Sequence, residues 1–500
     1  MIQIELIMIL TPSYAQMLNG SKLQFGRAAI YILMLVTVLS CHRNDVIVID
    51  NVFIIDAKNQ EPEQVSIFME GNIIIDIRES GDMGPYDPSR VINGAGGYVI
   101  PGLWDMHVHL TFDPNIEPAM SDLFLANGIT SIRDTGGLLD KMKPHKERSI
   151  QDPSSNPRLF MAGPLIDGEP NVYDGSENRP EISVGHETLK DIEVSISQLV
   201  DGGVDLLKAY EMLTPDQFDK VLEQAREYDL PVTGHVPLSM TVEQASGMGL
   251  RSMEHMRNLE MSCSSLSDSL LDKRKEMLLG GSELLGGVLR SNIHRAQRSI
   301  AVRTFDKDKA DEVLNILSRQ ETWQIPTIAL ITGRKTEIFK DEEWISTFQY
   351  LPEPARSEWL ERASLARETV RVEPNHEYAD WALSMIAMLK EKKVGIMAGT
   401  DTPIGFLTPG FSLHRELEML VEGGLDPLDA LISATWLPSQ YFNLEDKLGT
   451  IEKGKIADMV LLRKNPLEDI SNSQSIEAVI KNGRVIDRPL LDQMLDDLSQ

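Results

Sequence analysis

The chain has 500 residues, too many for one small core and enough for a large barrel with an accessory domain. Its 76 acidic and 48 basic side chains give a formal net charge of −28, which argues against a nucleic-acid partner because a phosphate backbone would be repelled. Two cysteines, Cys41 and Cys263, exclude a disulfide framework and a zinc site built on thiolates alone.

Lys22 and Arg27 precede an apolar run over 28–39, and Ser40, Cys41 and the polar His42-Arg-Asn-Asp45 follow it. A basic region, a short apolar core and a small residue before the cut predict a secretory signal peptide over 1–40. The run is shorter than the roughly 20 residues that span a bilayer. Val38-Leu39-Ser40-Cys41 resembles a bacterial lipobox, which makes Cys41 the expected lipidation site. The expected address is therefore exported: periplasmic, or anchored to the outer membrane of a bacterium as a lipoprotein. An uncleaved apolar anchor is the other reading of the same run. Cys263, in a serine-rich stretch, reads as structural.

The first β-branched runs are 46–49, 52–55, 65–68 and 73–77, divided by turn signals at Asp50-Asn51 and Gly71-Asn72. The carboxyl end echoes them at 456–462 and 476–480. Residues 41–100 and 445–500 are thus expected to form one small β-sandwich domain built from both chain ends. Between them, over 101–444, strand-like runs recur near 99–108, 129–134, 158–163, 204–210, 231–236, 250–255, 325–331 and 394–401. Helical patterns such as 119–126, 215–228 and 379–393 separate most of them. This alternation predicts an α/β fold, a (β/α)8 TIM barrel. The gap at about 256–324 is longer than one helix needs. It reads as an insertion, either a lid over the barrel mouth or a surface elaboration.

The chemistry falls at strand ends. In Pro101-Gly-Leu-Trp-Asp-Met-His107-Val-His109, the period of two aims both imidazoles to one side, where they suit a divalent transition metal. Val204-Asp-Leu-Leu-Lys208-Ala-Tyr210 is an apolar run that stops at a lysine. His235 ends Leu230-Pro-Val-Thr-Gly-His235, and His255 ends Gly249-Leu-Arg-Ser-Met-Glu-His255. Asp401 ends Val394-Gly-Ile-Met-Ala-Gly-Thr-Asp401, where Gly399 lets backbone approach closely. Singly each signal is weak. Together they follow predicted strands one, four, five, six and eight, at the face where barrel enzymes carry their active sites. His145, His186, His294 and His376 have no such setting and read as surface residues.

With Gly234-His-Val-Pro, His414-Arg-Glu-Leu-Glu and Gly454-Lys-Ile-Ala-Asp458 added, the sequence resembles the amidohydrolase superfamily over about 45–490, in particular its imidazolonepropionase-related, prolidase-like branch. The resemblance implies two divalent metal ions, zinc being the expected element. His107 and His109 with Asp401 would hold one, and His235 and His255 the second. Lys208, carboxylated by carbon dioxide, would bridge them, since an ammonium has only donors whereas a carbamate offers anionic oxygens. A metal-bridged hydroxide would attack the scissile carbonyl, with Asp401 as general base. Tyr210, two residues after Lys208, is expected to contact the substrate carboxylate or the developing oxyanion. His414 is a weaker substrate-binding candidate, with helix capping as its other reading.

The activity expected is hydrolysis of a carbon–nitrogen bond in dipeptides or N-acyl amino acids. A small-molecule or dipeptide substrate is the expected partner, the membrane is met only through the anchor or signal, and self-association stays open. Two alternatives remain. One is a mononuclear cyclic-amide hydrolase of imidazolonepropionase type, which lacks the lysine ligand. The other is a ligand-binding lipoprotein without catalysis.

Overall fold

β-Branched runs at the amino end pair into hairpins. A computed structural model describes residues 45–59, 63–176, 179–369 and 376–499; the expected leader and Cys41 lie outside them. β1 (Val46–Ile54), β2 (Gln64–Glu70) and β3 (Ile73–Glu79) are antiparallel neighbours, and β4 (Arg90–Pro101) runs parallel to β1. The turn expected at Asp50-Asn51 is instead an irregularity inside β1, with Asn51 at φ 60° and a register shift between Ile49 and Val52. The extra residue has a physical use. Residues three apart in a regular strand face opposite sides, yet Ile49 and Val52 share one buried cluster.

β4 stops at Pro101, and β5 (Leu103–Val108) starts a different sheet. The single strand expected over 99–108 is therefore two, divided at Gly102. β5, β6 (Ile129–Asp134) and β7 (Arg158–Met161) form a parallel three-stranded sheet. β8 (Leu165–Gly168), β9 (Ser183–His186), β10 (Leu207–Ala209), β11 (Val232–Gly234), β12 (Ser252–Glu254) and β13 (Trp323–Ile325) form a parallel sheet of order β13-β12-β11-β10-β8-β9. β8 and β9 correspond to no predicted strand.

Two further corrections concern the last predicted strands. The run expected over 325–331 ends at Ile325, because Thr327 at φ 48° turns the chain into the helix Ile328–Thr332. The run 394–401 is not a regular strand, but isolated parallel bridges, Gln324 with Ile396 and Val108 with Thr402, set it between β13 and β5. A backbone bond from Asp205 N to Met161 O (2.9 Å) links the approach of β10 to β7.

Helices follow the strand ends. Thr214 and Thr241, after β10 and β11, each cap a helix through a reciprocal box with a glutamine three residues on, and Thr188 does so with Asp191. Each such cap stabilises its helix start by about 1 kcal/mol. Trp104 and Met106 of β5, Phe160 of β7, Ile325 of β13 and Met397 pack with Tyr441 and Leu448 into a buried cluster. The 256–324 segment is helical, with Leu259–Ser262, Ser267–Gly280, Gly286–Arg303 and Lys307–Arg319.

The chain closes with β14 (Met459–Leu462), β15 (Ile476–Lys481) and β16 (Arg484–Asp487). β14 pairs antiparallel with β4, so strands from both ends make one sheet of order β16-β15-β14-β4-β1-β2-β3. The sheet folds back on itself: an isolated antiparallel bridge joins Ile73 of β3 to Ile456 just before β14, and residues of β1, β2, β3, β4, β14, β15 and β16 share one buried cluster.

Candidate metal centre

Asp105 ties two chain segments together. Its buried carboxylate accepts from the Thr400 hydroxyl (2.7 Å), the Thr400 N–H (3.1 Å) and the His107 N–H (3.2 Å). Gly399 permits the approach, since a Cβ there would lie 2.6 Å from Ile325 Cγ2 and 2.8 Å from His107 N. Asp401 (φ 66°) and His255 (φ 57°) both sit in the left-handed region. Such backbone costs a non-glycine residue about 1–3 kcal/mol, so the surrounding contacts must hold it.

Three buried imidazoles, His107, His109 and His255, approach Asp401, a fourth, His235, lines the same cavity, and each has committed its Nδ1. His107 Nδ1–H donates to the Glu254 carboxylate (2.6 Å), His109 Nδ1–H to the Gly136 carbonyl (2.9 Å) and His235 Nδ1–H to the Glu211 carboxylate (2.5 Å). His255 Nδ1 shares a hydrogen bond with the Thr327 hydroxyl (2.7 Å). A carbonyl and an ionised carboxylate only accept, so three rings must carry the proton on Nδ1, leaving a lone pair on Nε2. The Nε2 atoms of His107 and His109 are 3.3 Å apart and lie 3.2 and 3.1 Å from Asp401 Oδ1. His255 Nε2 lies 3.7 Å from Asp401 Oδ2. The ligand atoms of His107, His255 and Asp401 all fall within 4.8 Å of one another.

These spacings fit a shared ion. Two ligand atoms each 2.0–2.1 Å from a tetrahedral zinc are about 3.3 Å apart. Asp401 Oδ1 is buried and makes no aligned hydrogen bond, despite two nitrogens at close range, as expected of a ligand aimed at a common centre. Burial opposes the charged imidazolium and holds His235 and His255 well below the usual histidine range, so both are neutral donors of electron pairs. Burial also opposes ionisation of Asp401, but His107 and His255 outweigh it and hold the carboxyl well below the usual range.

Lys208 and Tyr210 line the same cavity as His107, His109, His235, His255 and Asp401. Burial lowers the Lys208 amine to about 8, against the pull of Glu254, whose carboxylate is 3.9 Å away. Tyr210 lies against His235, with ring centroids 4.4 Å apart.

Several participants were not singled out from the sequence. Arg133 and Glu254 are one pair: Arg133 donates to Glu254 (2.7 Å) and to the Met106 carbonyl (2.6 Å), and both side chains are fully buried. Arg133→Met leaves a buried carboxylate without its main partner. It should cost about 3–5 kcal/mol of unfolding free energy in metal-free protein, read by denaturant titration. A loss below about 1 kcal/mol would refute the pair as the support of His107. Glu211 is the second case. It accepts from His235, from Arg290 (2.9 Å) and from His294 Nε2 (2.7 Å). Burial opposes its charge, but Arg290 and His294 keep it ionised.

Five assignments change. His294 and His186 are buried, not on the surface: His294 supports Glu211 from the helix Gly286–Arg303, and His186 Nδ1–H donates to the Asp167 carbonyl (2.9 Å). His145 is half-buried against Glu117 (2.8 Å), and His376 is half-buried. His414 does not line the cavity. It is buried in the helix Phe411–Glu422, between the Ser473 hydroxyl (2.9 Å) and the Asn127 carbonyl (3.1 Å), so it joins two segments.

The amidohydrolase family model matches residues 98–267 and 351–486. An adenine deaminase of Deinococcus deserti is 38% identical over 81 residues, 16% of this chain and 14% of that protein. An ochratoxinase of Aspergillus niger is 37% identical over 101 residues, 19% of this chain and 20% of that protein. The matched stretches thus span a fifth or less of those relatives. Among solved structures, a Xaa-Pro dipeptidase with bound methionine superposes with TM-score 0.62 at 21% identity, covering 88% of this chain and 100% of that one. A bottromycin amidohydrolase does so with TM-score 0.64 at 19% identity, covering 91% of each. These superpositions show a shared fold.

Proposed function

Because the chain belongs to the amidohydrolase family, we propose that it hydrolyses the amide bond of dipeptides or N-acyl amino acids in a prolidase-like reaction. We read the parallel strands β5, β6, β7 with β8, β10, β11, β12 and β13, together with the segment 394–402, as the (β/α)8 barrel that would carry the site. The observation that supports this reading most is the set of four buried imidazoles in one cavity, each held by a partner on Nδ1, with the Nε2 atoms of His107, His109 and His255 at 3.1–3.7 Å from Asp401.

His107, His109 and Asp401 would hold one divalent ion, His235 and His255 a second, with carboxylated Lys208 between. Such ions, zinc for choice, supply a Lewis acid for the carbonyl and make a bound water acidic near neutral pH. The chain supplies the rest. Asp401 takes a proton from the attacking water and returns it to the departing amine. Glu254, Gly136, Glu211 and Thr327 hold the imidazole planes in place. Tyr210 keeps its proton, because burial raises the phenol well above its ordinary range, so it donates a hydrogen bond to a carboxylate or an oxyanion. Arg290, over the Tyr210 ring at 6.0 Å, adds a fixed positive charge at the same wall. As an exported enzyme, carried by the leader and anchored through Cys41, it would act on small amides outside the cytoplasm.

The test is metal analysis of purified protein together with a dipeptide and N-acyl amino acid panel. About two zinc ions per chain, with hydrolysis lost to a chelator and restored by zinc, is the expected result. One ion per chain would favour the cyclic-amide hydrolase. No metal and no turnover would leave a binding protein.

A further inference from the structure

We propose that the site selects amides that carry a second anionic group, an acidic side chain in addition to a terminal carboxylate; this rests on the hydrolytic reading above. A second cavity, of about 670 Å³, shares Arg257 and Arg290 with the metal cavity. Among the described residues it is lined by Arg257, Arg290, Arg295, Arg298, Arg334 and Lys335, and by no aspartate or glutamate. Three carboxylates reach these cations: Glu211 at Arg290 (2.9 Å) and Arg257 (3.6 Å), Glu260 at Arg298 (3.5 Å) and Asp380 at Lys335 (2.7 Å). Among the described residues, six positive charges against three negative ones leave an excess of three, in a chain whose net charge is −28.

Arg295 and Arg334 line the cavity as exposed side chains. Among the described residues Arg334 has no ion pair, and Arg295 meets only the Asn292 amide oxygen at 3.4 Å. Arg298 lies over Tyr378 at 4.3 Å; its buried Nε reaches only the Glu260 carboxylate, at 3.5 Å, and its buried Nη2 has no hydrogen-bond partner among the described residues. Arg290 and Arg298 stand on one helix, Gly286–Arg303, two four-residue steps apart, and so share one face of it. A guanidinium fork is built for a carboxylate, and its charge does not titrate away. The excess charge is the signature of an anionic occupant. All but Arg257 of these cations lie at 290–335, between the two segments that the family model matches, so the cavity belongs to the part of this chain that the model does not describe.

The zinc-loaded full chain is assayed on two isosteric pairs, Ala-Glu against Ala-Gln and Glu-Ala against Gln-Ala. A charge-assisted contact predicts a kcat/KM preference for the acidic member of about tenfold or more in at least one pair. Arg295→Met and Arg334→Met should each shrink that ratio about threefold or more, and Lys190→Met, an exposed charge lining neither cavity, should leave it unchanged. No preference in either pair, or a ratio indifferent to both cavity variants, overturns the proposal. If no dipeptide is cleaved, the hydrolytic reading fails instead, and the cavity is judged by calorimetry of N-acetylglutamate and N-acetylglutamine with the Asp401→Asn protein. Tighter glutamate binding supports the anion site, and equal or weaker binding overturns it.

Discussion

Asp401→Asn should lower kcat by about a thousandfold or more while the protein folds and keeps much of its metal. The substitution is nearly isosteric, so the left-handed backbone at residue 401 and the Asp105–Thr400 tie beneath it are undisturbed. What changes is charge and basicity. In the native protein the carboxyl is held well below its usual range despite its burial, so it is ionised across the neutral range. It can therefore accept a proton from water, whereas an amide cannot. General-base catalysis contributes about 10²–10⁴ in rate, which sets the expected loss. Metal content and kcat on the best dipeptide are measured on the same preparation. Loss of both in step would make Asp401 a ligand only, and an unchanged kcat would remove it from the mechanism.

How much of this was legible beforehand differs between ligands and their supports. His107, His109, Lys208, His235, His255 and Asp401 stood out because each ends an apolar run, and strand ends are where barrels place chemistry. The structure gathers all six at one cavity. Their supports had no comparable signal. Glu254 is adjacent to His255 yet serves His107, 147 residues away. Glu211 is two residues past the end of β10 and draws on His294 and Arg290, which lie about eighty residues further on in the insertion. Such pairings depend on how helices come back over strand ends, and no local pattern encodes that. The same reason explains His294. Its helix is polar enough to read as a surface helix, but one side is pressed against Glu211.

The fold shows the same division. The alternating strands and helices were read from local periodicity and agree with the parallel pairs β5–β6–β7 and β10–β11–β12–β13. Boundaries were lost where a single residue decides. Gly102 separates two sheets, and Thr327 turns a would-be strand into a helix. The segment before Asp401 makes bridges in place of a ladder. That irregularity has a consequence for the site. A regular strand would keep Asp401 in extended backbone, whereas the left-handed turn brings its carboxylate to the Nε2 atoms of His107 and His109.

Lys208→Ala should cost the protein about one of its metal equivalents and nearly all activity, with partial recovery in acetate or formate. A buried ammonium at this position would repel cations and ligate nothing. Burial, however, brings the amine to about 8, so near pH 8 about half of it is neutral, against about one part in three hundred for an ordinary lysine. The neutral amine is the form that adds carbon dioxide, and the carbamate it gives is anionic. That anion lies close to Glu254, but Arg133 already neutralises Glu254 at 2.7 Å, so the added charge is left for the metal ions. The dependence on pH follows from this. Below about pH 8 the protonated amine competes, so reloading of metal-free protein with zinc and bicarbonate should slow as pH falls. Labelled bicarbonate should leave a carbamate carbon resonance in wild type and none in Lys208→Ala. Lys208→Arg should fail to recover with carboxylates, because its guanidinium stays charged and fills the space they need. Full metal content in Lys208→Ala, or equal loading rates at pH 6 and pH 9, would sink the bridging role and leave Lys208 as a partner of Glu254 alone.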